Sequence, residues 1–339
     1  MILFVVILFF LFIFGLKTPA ASTFNKDIVT VLKPFLAFGV VLFHLNNQAV
    51  FLHEFERWGP LIVGIFFFIS GYGLTYSLKN NSNYLNDFFL KKLLIKLVLP
   101  CLLAWILHLC FNETWNGYSI IEHLANPLGP SLFPGDWFMY ALIYCYISFM
   151  IAGMVKSSTA RLFMLVIVPL LLVIFTSVMD YERNWWATPL AFSVGVMYCY
   201  FEPRIRKIVS GRKNLIYSNI LYLCMFGGLI VGAKYKITTI LAYSLLPLLL
   251  INNIIRLNFT RLAKSQILLF LSGISFEIYL THGIVIYFLK KTMSLSGISL
   301  VGVTIIITLI VASLFKQLSV NCQKKTVCFI TSVVNKNYE

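Results

Sequence analysis

The sequence predicts an all-α integral membrane protein, and three observations support that class. Hydrophobic residues occupy 60% of the 339 positions, and the mean hydropathy is +0.88. Charged residues make up only 12% of the chain, against roughly 25% in a typical soluble domain. Apolar runs long enough to cross a bilayer recur along the whole sequence. We therefore expect one membrane domain whose chemistry uses helices and short loops.

Ten apolar runs, each about 17 to 25 residues long or slightly shorter, are predicted to form a bundle of ten core transmembrane helices. They lie at approximately 28–46, 60–78, 90–111, 137–155, 162–179, 187–201, 215–232, 238–255, 266–289 and 298–315. An eleventh run at 1–16 lacks the basic leader of a cleaved signal peptide, so residues 1–25 are predicted to hold one extra N-terminal helix. The membrane domain is expected to span 26–318, followed by a short cytoplasmic tail at 319–339.

The distribution of basic residues predicts the orientation of these helices. The chain carries 27 Lys and Arg against 12 Asp and Glu, a net charge of +15. If residues 17–27 are cytoplasmic, only six basic residues fall on the outer side and the other 21 on the inner side. The outer six are Arg57, Arg183, Lys234, Lys236, Lys290 and Lys291. This bias predicts a multi-pass cell-membrane protein with a cytoplasmic C-terminus. The lipid bilayer is its expected partner, and nucleic acid is not.

Ionisable side chains inside the predicted spans are candidates for a functional site, because each costs several kcal/mol unless it faces a bundle interior or a wet cavity. In "LKPFLAFGVVLFHLNN", residues 32–47, Lys33 and His44 are eleven positions apart. At about 100° per residue they share one helix face, about 16 Å apart along the axis, with Asn47 one turn further. The alternative is that Lys33 extends to the headgroups and His44 is an interfacial residue.

A second polar group lies in "GISFEIYLTHGIV", residues 273–285. Ser275, Tyr279 and His282 share a face through i, i+4, i+7 spacing, whereas Glu277 lies on another face. His282 is expected at a membrane depth similar to that of His44, which predicts a shared cavity. A glutamate in mid-span requires a lysine, arginine or hydroxyl partner on another helix. The alternative for this segment is a polar clamp between helices.

Two further segments carry weaker signals. "LKKLLIKLVLP", residues 90–100, places Lys91, Lys92 and Lys96 at the inner end of a helix, where substrate phosphates and anionic lipid headgroups explain a basic cluster equally well. "GDWFMYAL", residues 135–142, contains Trp137, which is either a site residue or an ordinary interface aromatic. The seven cysteines and the remaining histidines, His108 among them, show no metal-ligand spacing, so neither a metal site nor a disulfide framework is expected.

Five segments together resemble the membrane-bound acyltransferase-3 family, which O-acylates cell-surface sugars. They are the Lys33 to His44 pair, "GIFFFISGYGLTYSL" at 64–78, "KKLLIKLVLP", "DWFMYAL" and "GISFEIYLTHGIV". They follow the family's order at compatible spacing from about residue 26 to 318. Three departures are visible. Lys33 replaces the usual arginine, Lys96 comes one residue late relative to Arg-Arg-x-x-Arg, and Phe276 occupies a tyrosine position.

The resemblance implies a membrane-embedded O-acyltransferase that moves an acyl group, most often acetyl from acetyl-CoA, onto a hydroxyl of a cell-surface saccharide such as an exopolysaccharide. No permanently bound cofactor is implied, and the membrane would be a bacterial inner or plasma membrane. The implied catalytic residues are His44, His282, Glu277 and Tyr279; the implied donor-binding residues are Lys33, Lys91, Lys92 and Lys96; and the implied acceptor-binding residues are Asn47, Ser70 and Trp137.

Two other function classes fit part of the pattern. A multipass exporter or flippase of a lipid-linked saccharide also carries buried ionisable residues and ten or more helices. The sequence shows no inverted repeat and no matching pair of Gly/Pro-broken helices, which such transporters often have. A glycan polymerase is disfavoured because we would expect a larger outer loop.

Overall fold

The computed structural model describes residues 23–46, 52, 58–81, 83–86, 88–111, 136–209, 211–232, 235–257, 259–293 and 295–336. These residues form helices and short connections, with no strand among them. The helices are α1 (Lys26–His44), α2 (Trp58–Asn80), a π-helical segment (Phe88–Val98) continued by α3 (Leu99–Phe111), α4 (Asp136–Gly153), α5 (Ser158–Val178), α6 (Arg183–Ala187), α7 (Leu190–Val209), α8 (Arg212–Gly232), α9 (Lys236–Ile254), α10 (Thr260–Ala263), α11 (Gln266–Thr292) and α12 (Gly297–Lys336). The extra helix predicted at 1–16 lies outside the described residues.

Six of these helices are long and apolar enough to cross a membrane: Lys26–His44, Trp58–Asn80, Ser158–Val178, Lys236–Ile254, Gln266–Thr292 and Gly297–Cys328. Trp137–Gly153 and Ile216–Met225 are shorter apolar helices. Helices are the expected form of such runs, since hydrocarbon offers the backbone no other hydrogen-bond partners. The all-α membrane class is confirmed. Each of the ten predicted ranges coincides with a helix, but the number that spans the bilayer stays a prediction.

The last helix is longer than the sequence predicted. α12 has 40 residues, which corresponds to about 60 Å, or twice the roughly 30 Å of a hydrocarbon core. The segment set apart as a tail from residue 319 continues this helix to Lys336. The cytoplasmic location of residues 319–339 stays a prediction.

Two hydrophobic clusters form the core of the bundle. The larger one joins α2, α4, α7 and α9, with Phe67, Phe138 and Phe192 among its buried members. The smaller one joins α1, α11 and α12 and includes Val41 and Ile278. Helix α11 contributes to both clusters, because Tyr279 belongs to the larger one. The polar residues of the second predicted motif therefore lie where the two clusters meet.

Helices α2 and α7 approach each other through a reciprocal pair of glycines. A Cβ on Gly71 would lie 2.1 Å from the carbonyl oxygen of Phe192, and a Cβ on Gly195 would lie 2.2 Å from that of Phe68. No larger residue fits at either position without moving a backbone. Small residues allow close helix packing of this kind in membranes. The glycine in the "ISGYG" motif of α2 therefore has a packing role.

The residue after Gly71 anchors the start of α1. The Tyr72 hydroxyl lies 2.9 Å from Glu202 Oε2 and 2.9 Å from the carbonyl oxygen of Phe24. The backbone N–H of Phe24 donates to Glu202 Oε1 at 3.2 Å. Both carboxylate oxygens of this buried glutamate are thus hydrogen-bonded, as a stable buried polar group requires. This cluster, named here the Glu202 anchor, ties α1 to α2 and α7.

A separate ion pair lies in the connection after α5. Lys236 Nζ donates to Asp180 Oδ1 at 2.7 Å and to the Ser177 carbonyl at 2.8 Å, and it lies 5.8 Å from the ring centre of Trp186. The hydrogen bond from Lys236, helped by its positive charge, lowers the pKa of Asp180 below its ordinary value. Both side chains are exposed, so water screens the pair and it contributes little to stability.

Candidate active site

A cavity of about 270 Å³ opens between α1, α2, α4, α11 and the π-helical segment. Its polar wall consists of Lys33, Ser70, Lys92, Lys96, Tyr146 and Ser275, and its apolar wall of Phe66, Leu97, Phe138, Leu142, Phe276 and Tyr279. All four elements that carry the resemblance motifs, together with the basic segment, contribute to it. A concave site with an apolar wall and a few convergent polar groups is the usual form of a small-molecule site.

The π-helical segment carries Lys92 and Lys96, which line the cavity. A π-helix bonds i to i+5 and turns through roughly 82° per residue, so four residues come back to within about 30° of the starting face. Lys92 and Lys96, four positions apart, share a face in this winding as they would in an α-helix, and both line the cavity. Lys91 projects about one residue's rotation away from Lys92; it is exposed and does not line the cavity. The structure therefore brings together three of the four predicted donor-binding lysines.

The two predicted histidines meet beyond the cavity. The ring centres of His44 on α1 and His282 on α11 are 4.9 Å apart. Tyr279 links this histidine pair to the cavity: its ring lines the cavity and its centre is 5.7 Å from that of His282. The i, i+11 stripe of α1 accordingly places Lys33 in the cavity and His44 at the histidine pair. Neither histidine lines the cavity itself.

The backbone of α11 sets the tautomer of His282. Its Nδ1 lies 2.6 Å from the carbonyl oxygen of Tyr279 and 3.3 Å from that of Ile278. A carbonyl oxygen only accepts, so Nδ1 carries the hydrogen and Nε2 carries the lone pair. His282 is 1% exposed, and among the described residues no group hydrogen-bonds to Nε2. The imidazole is thus presented as an unoccupied base.

A third histidine, His108, belongs to the same region. It lies on α3, is 3% exposed, and its Nε2 is 3.3 Å from the carbonyl oxygen of Leu280. It also interacts electrostatically with His282. His108 has no partner at metal-ligand spacing in the sequence. The rule that an ionisable residue inside a span is a site candidate would have found it.

Glu277 has the partner that the sequence required. Lys316 on α12 donates to Glu277 Oε1 at 2.8 Å, and the glutamate is 2% exposed. Lys33 interacts electrostatically with both residues. The second carboxylate oxygen, Oε2, has no hydrogen-bond partner among the described residues. Glu277 does not line the cavity, because α11 turns it towards α12 and away from the face of Tyr279. Its position fits the interhelical clamp.

The three predicted acceptor residues have different surroundings. Ser70 lines the cavity. Trp137 does not; it is 6% exposed and packs near the rings of Phe67 and Trp185, because the next residue on α4 occupies the cavity face. Asn47 lies outside the described residues. Trp137 therefore does not line the cavity, and its role in acceptor binding stays a prediction.

The described residues contain no group of three or more His, Cys, Asp and Glu side chains close enough to hold a metal ion. All seven cysteines are free thiols, and Cys101 and Cys145 are buried. The ionisable groups described at the site are histidines, lysines, tyrosines and one glutamate, which suit proton transfer and anion binding.

Comparison with known proteins supports one family. No curated protein and no solved structure matches the chain. Residues 26–316 match the family model described as an acyltransferase domain, which covers 291 of the 339 residues. The match includes every cavity and histidine residue described above. The chain belongs to the acyltransferase-3 family of membrane proteins.

Proposed function

We propose that this membrane acyltransferase moves an acetyl group from acetyl-CoA onto a hydroxyl of a cell-surface saccharide. One observation carries the proposal: a lysine-lined cavity leads through Tyr279 to a pair of histidines, the half-buried His44 and the buried His282, and His282 presents a free Nε2. The family supports acyl transfer. The acetyl donor, the saccharide acceptor and the residue roles below are parts of the proposal.

The donor fits the cavity through its charge. Coenzyme A is rich in phosphate, and Lys33, Lys92 and Lys96 supply three cations around one cavity. Lysine binds phosphate as a point charge and lacks the bidentate fork of arginine, so several lysines are needed to hold one donor firmly. The apolar wall suits the less polar arm that carries the thioester. In the predicted orientation this cavity opens to the cytoplasm, where acetyl-CoA is made available.

The chemistry takes place at the histidine pair. The acceptor hydroxyl oxygen attacks the thioester carbonyl carbon while His282 Nε2 takes its proton. The tetrahedral intermediate collapses, the carbon–sulfur bond breaks, and the leaving thiolate takes the proton back from the imidazolium. The products are an O-acyl ester and free coenzyme A. Because the carbonyl of Tyr279 already holds Nδ1–H, the imidazole needs no reorientation before it acts.

His44 is placed to stabilise the negative charge that develops on the carbonyl oxygen. Its ring centre lies 4.9 Å from that of His282, so one thioester can contact both imidazoles. A hydrogen-bond donor aimed at the developing oxyanion often raises the rate by a factor of about 10² to 10³. Tyr279 positions both the donor and His282. Glu277 acts indirectly. It binds Lys316, and its negative charge offsets the positive charges of Lys316 and Lys33.

The test is mass spectrometry of surface glycans from cells that lack the gene or express the wild type, His44→Ala, His282→Ala or the surface control Lys236→Met. We expect one alkali-labile acyl increment per modified sugar in the wild type and the control, and none in the other strains. The mass of the increment identifies the acyl group. Equal acylation in all strains would overturn the proposal, and loss of the glycan itself would indicate export.

A further inference from the structure

We infer that the ring pair Phe138–Tyr279 is a size filter that limits the donor to short acyl groups. The inference rests on the proposed function, and it names which acyl-CoA the site accepts. The sequence leaves the acyl group open between acetyl and longer chains. The arrangement of rings between the cavity and the histidines restricts it.

Tyr279 lies on the side of the cavity next to His282, and Phe138 packs against it. Phe138 and Tyr279 both line the cavity, and their ring centres are 4.8 Å apart. Beyond Tyr279 comes His282 at 5.7 Å, and neither histidine lines the cavity. A thioester whose phosphates lie on the lysines therefore passes this pair before it reaches Nε2.

Both rings are held in place by their surroundings. Phe138 is 3% exposed and its centre lies 5.0 Å from that of Phe67 and 6.3 Å from that of Phe66. Tyr279 is also 3% exposed, and its own carbonyl binds His282. Close-packed interiors leave little free volume, so even one added methylene is felt. A ring pair fixed on both sides discriminates by size more sharply than a flexible aliphatic wall does.

The expected discrimination follows from the size of the acyl group. One extra methylene against a tight apolar wall typically changes a specificity constant by about 10 to 200-fold. Acetyl is the smallest common acyl group, and butyryl adds two methylenes. We therefore expect a strong preference for acetyl-CoA, and we expect that preference to depend on the volume of residue 138.

Matched variants on one helix separate this effect from general loss of packing. Phe138→Leu removes ring volume at the filter, and Phe138→Trp adds volume there. The control is Phe149→Leu: Phe149 is also a buried phenylalanine on α4, it packs against Phe88 at 5.4 Å, and it does not line the cavity. All four proteins are purified in lipid nanodiscs as full chains with the acceptor glycan fraction from cells that lack the gene.

The readout is the initial rate of thiol release from acetyl-CoA and butyryl-CoA at equal concentration. We expect the butyryl to acetyl ratio to be about 0.1 or less in the wild type, roughly tenfold higher in Phe138→Leu, lower still in Phe138→Trp, and unchanged in Phe149→Leu. A wild type that uses both donors equally, or an unchanged ratio in both Phe138 variants, would overturn the filter and leave acyl transfer intact. A wild type that cleaves neither thioester would overturn the proposed function and the filter with it.

Discussion

Two buried acidic residues in this bundle have opposite surroundings. Both oxygens of Glu202 are hydrogen-bonded, to Tyr72 and to the backbone of Phe24. Glu277 is bonded through Oε1 alone, and five residues along the same helix His282 presents a buried nitrogen without a partner. A polar cluster whose hydrogen bonds are all formed holds helices together. A buried polar atom without a hydrogen-bond partner can instead bind a ligand or accept a proton. Burial of an ionisable group alone does not distinguish the two.

The largest effect on the rate of acyl transfer is expected when His282, with its unbonded Nε2, is removed. His282→Ala should reduce acyl transfer by a factor of about 10² to 10⁴, the usual range for a general base. The unfolding temperature should also fall, because the substitution removes the Nδ1 hydrogen bond and leaves a cavity, so transfer is expressed per folded molecule. Radiolabelled acetyl incorporation and a thermal melt measure the two quantities. A variant that keeps a tenth of the wild-type rate would contradict the assignment.

Glu277, which is hydrogen-bonded through one oxygen only, should affect stability in a way that depends on Lys316. Glu277→Gln weakens the contact with Lys316 and should lower the free energy of unfolding by about 1 to 3 kcal/mol, less than the loss of a fully buried pair because the Lys316 side chain is 41% exposed. Adding Lys316→Met should recover part of that loss, since no lone charge remains. Urea titrations of the single and double variants give the coupling. Strictly additive losses would show that the two residues do not act as a pair.

The satisfied carboxylate should affect stability alone. Glu202→Leu leaves the Phe24 N–H without its acceptor and the Tyr72 hydroxyl with only the Phe24 carbonyl, which should cost about 1 to 3 kcal/mol of stability. Transfer per folded molecule should be unchanged, because the Glu202 anchor contributes nothing to the cavity. Activity is normalised to the monodisperse fraction on size-exclusion chromatography. A fall in normalised kcat would erase the distinction between the two glutamates.

His108 tests whether the third histidine positions the others. His108→Leu removes the contact with the Leu280 carbonyl and should lower kcat roughly two- to tenfold at constant KM for the donor, the worth of one hydrogen bond. His108→Gln keeps a donor in the same region and should restore most of the rate. Failure of Gln to rescue, or a change in KM alone, would argue against a positioning role.

The smallest effect belongs to the exposed ion pair. Lys236→Met should leave both the melting temperature and the transfer rate unchanged at neutral pH, because water screens Asp180 and Lys236. Since Lys236 lowers the pKa of Asp180, the pair is formed above that pKa and is lost as the pH falls through it. Melting curves of the wild type and Lys236→Met, recorded above and below the pKa of Asp180, measure how the contribution of the pair depends on pH. If the pair stabilised the protein only at low pH, the pH dependence would have the opposite sign to the one expected.

Sequence patterns predicted the helices well because hydrocarbon imposes one solution on every apolar run. They also predicted that Lys33 and His44 share a face, and that Glu277 needs a lysine, arginine or hydroxyl partner on another helix. Periodicity is a property of one helix, so it places residues on faces reliably. It says much less about which faces meet.

The remaining features depend on contacts between distant segments. Lys316 is 39 positions from Glu277, and nothing in its own span marks it as the partner. His108 follows no spacing pattern that marks it, and Phe138 rather than its neighbour Trp137 lines the cavity. These features arise from tertiary packing.

Acetyl-CoA saturation curves test the central claim most directly. They compare the wild type, Lys92→Gln/Lys96→Gln and His282→Ala in nanodiscs. If the cavity binds the donor and the histidine pair performs the chemistry, the lysine variant raises KM about tenfold or more with kcat within about twofold, and the histidine variant lowers kcat about a hundredfold at unchanged KM. Movement of the same parameter in both variants, or full kcat without His282, would contradict the account.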